Sequence, residues 1–484
     1  MSRIDINRAF DVYGEFWVAG QEDKVARGRM YRDETGIRIQ LFDDLRPGPS
    51  YVPVPGIENS SWEIIESPSV DLLLTIHGHL GGMLGRVTAI ECRTVNSTVG
   101  RLRGPQEHIL MPLRVMVGAH VSGVDQEFTG ARVRLHHLDE WAGLKGFALE
   151  ISEDKKKFKL SYEEPSVESV SLANGGQLTI GQSLSIPPLS VAGGALRRDV
   201  WICVEQLPKM TWEEISRTVL RPLESFVTLC LGVQSKLSNI KLTVDGGNWM
   251  QVTGGWLQAE PTDGDIGEPV AYLPKIGLGA LGNWLDKVAV LGPLPPVVAR
   301  FSAKQQTVHL ETELLEMATV AEGLHAKLFP SEVRLDQKTL DRVRAALGEA
   351  VADEEERVRN IIGGMLTHLA EPGYPARLKQ LAERVRGCAP EITGKTNRWA
   401  AEVSKARNSY AHRTASGFLT EENIDTLFTV IESLRWLLRC VLLLEAGISE
   451  SYLAKQLERV SAYRLFLGRA VESLPRIYVS RAGE

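Results

Sequence analysis

Residues 395–413 of this 484-residue chain read Lys-Thr-Asn-Arg-Trp-Ala-Ala-Glu-Val-Ser-Lys-Ala-Arg-Asn-Ser-Tyr-Ala-His-Arg. Lys395, Arg398, Lys405, Arg407 and Arg413 stand against Glu402 alone, a local charge of +4 in a chain whose formal charge is −6. On a helix, Lys405, Asn408 and His412 fall at i, i+3 and i+7 and share one face. Arg407 lies off that line, five residues before His412, with a side chain long enough to swing toward the imidazole's surroundings. A titrating base, a fixed cation and an amide suit phosphodiester chemistry, in which a base and an acid act while an anionic phosphorane is held. Spacing alone also admits a basic helix surface with a capping histidine.

Other motifs carry less. Gly277-Leu-Gly279-Ala-Leu-Gly282 has the G-x-G-x-x-G form, but Pro274 precedes it, Pro293, Pro295 and Pro296 follow, and no βαβ unit surrounds it. It reads as a turn before a short helix. His77-Gly-His79 places two imidazoles on one strand face, and His136-His137 lies elsewhere in the same region. Zinc needs three or four converging ligands, and no carboxylate or cysteine stands at a fitting spacing. Neither a metal nor a cofactor is expected. Asp353-Glu-Glu-Glu356 reads as a solvated helix face. There is no P-loop, H-E-x-x-H or G-x-S-x-G elbow.

The elements that position these residues change character along the chain. Val25–Tyr31 with Gly36–Leu41, 71–76 with 86–92, and Phe147–Ile151 with 157–162 alternate with period two across turns, the pattern of hairpins. Val200–Val204 and Ile240–Val244 continue it, so the first 300 residues read as a sandwich or barrel. One helix interrupts them, from a capping box at Thr211 and Glu214 to Gly232. Gly292-Pro-Leu-Pro-Pro296 reads as a stiff linker that ends regular structure. Helices are expected at about 303–328, 336–370, 376–387, 396–413, 421–446 and 450–472, the second kinked at Gly348 or Gly363-Gly364. The expected fold is α+β multidomain: a β-rich, sandwich- or barrel-like region over 1–300, with room for two lobes and a seam near Pro165, then an all-α bundle over 301–484.

Composition sets limits. An apolar fraction of 43% with 24% charged residues describes ordinary globular domains. The net charge excludes a globally basic nucleic-acid coat but not a local basic patch. The most apolar run, Leu434–Leu444, is broken by Arg435 and Arg439, far short of the roughly 20 residues a membrane span needs. No signal-peptide core opens the chain. Five scattered cysteines form no disulfide framework. The expected compartment is the cytoplasm, away from any membrane.

Arg407-Asn408-Ser409-Tyr410-Ala411-His412 has the form R-N-x-x-x-H and resembles the signature of HEPN-domain ribonucleases. The apolar segment Asn423–Glu445, beyond a loop at Thr414–Gly417, resembles the helix that follows this motif in the ApeA-like HEPN family. Tyr13–Trp17, Arg27–Met30, Leu74–Leu80 and Arg134–Gly143 resemble that family's large N-terminal domain, so the resemblance covers nearly the whole chain. It implies bacterial anti-phage defence by abortive RNA cleavage, with Arg407 and His412 at the catalytic positions and Asn408 beside them. It also implies a metal-independent reaction that leaves a 2′,3′-cyclic phosphate and a 5′-hydroxyl. HEPN domains pair so that two motifs share a cleft, which implies a homodimer or higher homo-oligomer. Lys405, Arg398 and Arg413 are candidate phosphate contacts from charge alone. RNA is the expected partner, with single-stranded loops such as tRNA anticodons the natural target, together with a phage-derived activator that the sequence does not name.

Two other readings compete. The helical region is a non-catalytic HEPN scaffold that binds nucleotide or protein, or the β-rich half is a carbohydrate-binding or hydrolytic module with Trp62, Trp141, Trp201 and Trp256 in a groove.

Overall fold

Six of the alternating segments close on themselves. In the computed structural model, Gly85–Thr98, Leu74–Leu80, Phe10–Val18, Ala26–Asp33, Gly36–Leu41 and Glu107–Met111 pair in that order, all antiparallel, and Glu107–Met111 pairs back onto Gly85–Thr98. The ring is a six-stranded barrel, and its inward-facing residues, among them Phe16, Met30, Ile39, Ile76, Leu80 and Val87, form its core. Gly14 and Gly28 are cross-strand partners. A Cβ at either would strike the backbone oxygen of His79 or Gln40, so glycine is what lets these strands curve so closely.

The structure describes the chain apart from residues 1–5, 44, 46–49, 54–61, 67–72, 83, 99–106, 155–157, 165–166, 186–196, 258–265, 304–308, 368, 412–420 and 480–484. It divides into two compact units: Met1–Glu224 with Ser235–Asp265 and Gly277–Asp286, and Ser225–Gln234 with Ile266–Ile276 and Lys287–Glu484.

In the first unit the sheet continues from Gly85–Thr98 through Arg114–Val117, Trp249–Thr253, Leu237–Thr243, Gly130–Leu135, Arg197–Glu205, Gln177–Ser185 and Ser169–Ser171. The hairpin Phe147–Ile151 with Phe158–Tyr162 stands apart from it. Pro165, where a seam was expected, lies outside the described residues. Thr211 caps its helix as the sequence suggests: its side chain accepts from the Glu214 N–H, and Glu214 Oε2 accepts from the Thr211 N–H at 2.8 Å. Gly277, at φ +71°, precedes the helix Leu278–Leu291, which contains Gly279 and Gly282. The G-x-G-x-x-G run is therefore a turn and a helix start.

The second unit is helical. The Glu421–Glu445 helix runs through its core, with Leu434, Leu437, Leu438, Val441 and Leu442 buried. Leu310–Leu328, Tyr374–Arg384, Thr396–Ala411 and Ser461–Ser473 pack around it. The two arginines that interrupt the apolar run have partners. Arg435 donates to Glu313 Oε1 at 2.6 Å. Arg439, 5% exposed, donates to the carbonyls of Leu229 at 2.7 Å and Cys230 at 3.3 Å, satisfying orphan acceptors where the Arg221–Leu231 helix ends before Gly232. Burial pulls the Arg439 guanidinium down to about 10. Among the described residues, no helix is long and apolar enough to cross a membrane.

Four local expectations are corrected. The helix expected over 450–472 is two, Glu450–Leu457 and Ser461–Ser473. Gly292–Pro296 does not end regular structure: Leu294–Ser302 is a helix with proline in its first turn, where a missing N–H costs nothing. The helix expected over 336–370 is two, Gln337–Ala350 and Glu356–Thr367. The break falls at the acidic run, whose carboxylates suit a helix N-terminus, while Gly363 and Gly364 lie inside the second helix. Leu278–Leu291 is a long helix within the stretch expected to be mostly strand.

Candidate active site

Thr396–Ala411 is the motif helix. Trp399, Ala400 and Val403 turn into the bundle and are fully buried, and Trp399 Nε1 donates to Ser433 Oγ of the central helix at 2.9 Å. That anchoring fixes the helix's rotation. Lys405 and Asn408 are exposed, on one face. Lys405 also has a neighbour on its own helix, Glu402 at 3.7 Å.

Arg407 points elsewhere. It is one turn from Val403 and leans back over the bundle, where Nη2 donates to Glu322 Oε2 of the Leu310–Leu328 helix at 3.2 Å. Its guanidinium carbon lies 4.7 Å from the ring centroid of Tyr374, the first residue of the Tyr374–Arg384 helix. The side chain stays a third exposed. A cation clamped between a carboxylate and an aromatic face, one edge open to solvent, is positioned to meet an anion. The Tyr374 hydroxyl is buried without a hydrogen-bond partner among the described residues, and burial pushes its phenol up, so it stays protonated.

His325 lies one turn beyond Glu322. It is 1% exposed and shares a hydrogen bond through Nε2 with Gln380 Oε1. Burial holds its imidazole below the ordinary histidine value, and it is too enclosed to reach a substrate. Arg398 donates through Nη1 to the Arg476 carbonyl at 3.1 Å. Nine residues separate it from Arg407, about 13 Å along the helix, so it stands at the other end. His412, Arg413 and the loop at Thr414–Gly417 lie outside the described residues, and Ala411 is the last residue of the motif helix.

The structure thus brings Arg407 together with Glu322 and Tyr374, two residues that sequence reasoning passed over. The available signal was a glutamate bordering the apolar stripe of an amphipathic helix, 85 residues from its partner. In the barrel, His77 and His120 stack at 4.6 Å, and their Nε2 atoms bond the carbonyls of Val121 and Gly78 at 2.9 and 3.0 Å. His79 is exposed. Among the described residues, no three His, Cys, Asp or Glu are grouped to hold a metal. Trp141 and Trp201 are buried, which removes them from any glycan groove.

Residues 11–251 match the family ApeA N-terminal domain 1, and residues 315–452 match the family Apea-like HEPN. The chain belongs to the ApeA-like HEPN proteins. In this ApeA-like protein the first match takes in the barrel and most of the sheet, and the second takes in Glu322, Tyr374 and the whole motif helix. A HEPN-type role in anti-phage defence goes with that membership. HEPN domains are typically ribonucleases, and they often dimerise. No curated protein and no solved structure matches the chain significantly.

Proposed function

We propose that this protein is a metal-independent endoribonuclease of the HEPN type, acting in anti-phage defence by abortive infection. The observation that carries the reading is the R-N-x-x-x-H register within the matched HEPN segment, with its arginine held by Glu322 and Tyr374 while one edge stays open. The RNA 2′-oxygen attacks the adjacent phosphorus as its proton passes to an imidazole. The bond to the 5′-oxygen then breaks, and a second imidazole returns a proton to the leaving oxygen. The products are a 2′,3′-cyclic phosphate and a 5′-hydroxyl. His412, with a reference pKa near 6.5, suits either transfer. Arg407 stabilises the phosphorane charge, and Asn408 orients backbone or substrate groups. Lys405, Arg398 and Arg413 contribute non-specific phosphate contacts.

Five residues advance an ideal helix by about 140°, so the five-residue spacing of the motif's arginine and histidine does not by itself put them on one face. A paired cleft, with His412 of the partner subunit completing the acid–base set, fits that separation. Residues 301–484 then form the nuclease and residues 1–300 its sensor or regulator, in the cytoplasm. The substrate class is single-stranded RNA, tRNA anticodon loops included.

The test is incubation of purified protein with RNA in EDTA, beside His412→Ala. Cleavage by the wild type alone supports the reading; equal cleavage by both contradicts it. A second reading, a non-catalytic scaffold, is favoured by the engagement of Arg407 with Glu322, which already satisfies the cation. Under it, Arg407→Ala and His412→Ala leave defence intact.

A further inference from the structure

The β-rich unit carries a cavity of about 500 Å³ bordered by Glu91, Arg93, Met111, Leu113 and Trp256, among others. None of these residues enters the RNA chemistry above. We propose that this cavity binds a free mononucleotide, its base stacked on Trp256, its N–H edge on Glu91 and its phosphate on Arg93.

Each group is placed for that use. Trp256 is 39% exposed, and its ring packs 5.5 Å from that of Trp212, so it is held yet leaves a face open. Arg93 is exposed, and its guanidinium has no ion pair or hydrogen bond among the described residues. Glu91 is about a quarter exposed, and its backbone sits at φ 56°, a left-handed conformation that non-glycine residues adopt under strain and that clusters at binding sites.

A buried cation organises the set. Arg114, 2% exposed, donates to Glu91 and, at 2.9 Å, to Glu213, and its guanidinium carbon lies 5.3 Å from the Trp212 ring. The same guanidinium therefore fixes the strained carboxylate on one side and, through Trp212, the Trp256 ring on the other. Locked support behind exposed groups is what a binding site requires.

The chemistry selects the ligand. An indole face accepts any planar ring. A carboxylate only accepts, so that ring must present N–H donors at its edge. An unpaired guanidinium calls for a phosphate. The volume falls in the range of small-molecule sites, about 300–1,000 Å³. One cation and one open aromatic face do not make the track of charges and successive platforms that a nucleic-acid strand needs. The proposal stands independently of the ribonuclease reading.

The experiment is isothermal titration of the full chain with AMP, GMP and adenosine. One nucleotide is expected to bind. Trp256→Ala should weaken it at least about tenfold, the effect of losing a stacking platform. Arg93→Gln, a surface change that leaves the fold intact, should weaken the nucleotide about tenfold while sparing adenosine. No heat from either nucleotide at about 1 mM, or unchanged affinity in Arg93→Gln, overturns the proposal. So does an oligoribonucleotide that outcompetes both nucleotides in the chain carrying His412→Ala, which blocks RNA turnover.

Discussion

Arg407 Nη2 lies 3.2 Å from Glu322 Oε2, a bond that ties the motif helix to the Leu310–Leu328 helix across 85 residues of sequence. Both side chains are about one-third exposed, so the pair adds little to stability, about 1 kcal/mol or less. Its consequence is directional: it chooses where the guanidinium sits. Glu322→Ala should lower RNA cleavage about tenfold, about 1.4 kcal/mol in the barrier, with the melting temperature almost unchanged. Cleavage rates beside a thermal melt check this, and full activity in the variant would show that Glu322 does not position Arg407.

Lysine in place of Arg407 keeps the charge and loses the planar fork that stacks on Tyr374. Arg407→Lys is expected to cleave RNA at least about tenfold more slowly than wild type. The measurement is single-turnover cleavage with both proteins at saturating concentration.

Tyr374 separates ring from hydroxyl. Its O–H is buried without a partner, so Tyr374→Phe removes a polar group at no loss of a hydrogen bond, and stability should change by less than about 0.5 kcal/mol, or rise. Tyr374→Ala removes the ring beneath Arg407 and should lower both stability and cleavage. Denaturant unfolding of the two variants distinguishes the contributions.

Burial holds the His325 imidazole below its ordinary value. The unfolded chain then binds the proton more readily than the folded one. The contribution is full above the unfolded value of about 6.5 and is lost as pH falls below it. The helix-capping carboxylates Asp336 and Glu268 are held below their ordinary values by hydrogen bonds from Thr339 and Ser461, so their contribution fades only nearer pH 4. His120, which burial also holds below its ordinary value, contributes in the same direction, so melting temperature should decline between about pH 6.5 and 5 and His325→Gln should make that decline shallower. An unchanged slope in the variant contradicts the assignment.

A paired cleft makes a mixing prediction. Each cleft needs a His412 imidazole from both chains, so a dimer with one His412→Ala chain lacks its acid or its base. An equal, subunit-exchanging mixture of wild type and His412→Ala contains about a quarter all-wild-type dimers and should keep about a quarter of wild-type cleavage. Retention of about half, with subunit exchange demonstrated, places each site's chemistry in one chain.

The hairpins of the barrel were legible because strands such as Gly36–Leu41 alternate and turn locally. Its closure was not, because Gly36–Leu41 pairs with Glu107–Met111 and nothing in either segment names the other. The proline cluster at 293–296 looked like a breaker because proline's effect depends on its position in the helix, and here it falls in the first turn. At the site, the motif drew attention to Arg407 and His412. Glu322 and Tyr374 stayed hidden because they meet Arg407 only after three helices pack.

The most direct measurement is the chemistry of RNA ends in phage-infected cells that express the protein or its His412→Ala variant. We predict new 2′,3′-cyclic phosphate ends, concentrated in single-stranded loops, with the wild type alone. The same ends in both strains, or phage protection by His412→Ala without any such ends, would contradict the catalytic role of this motif.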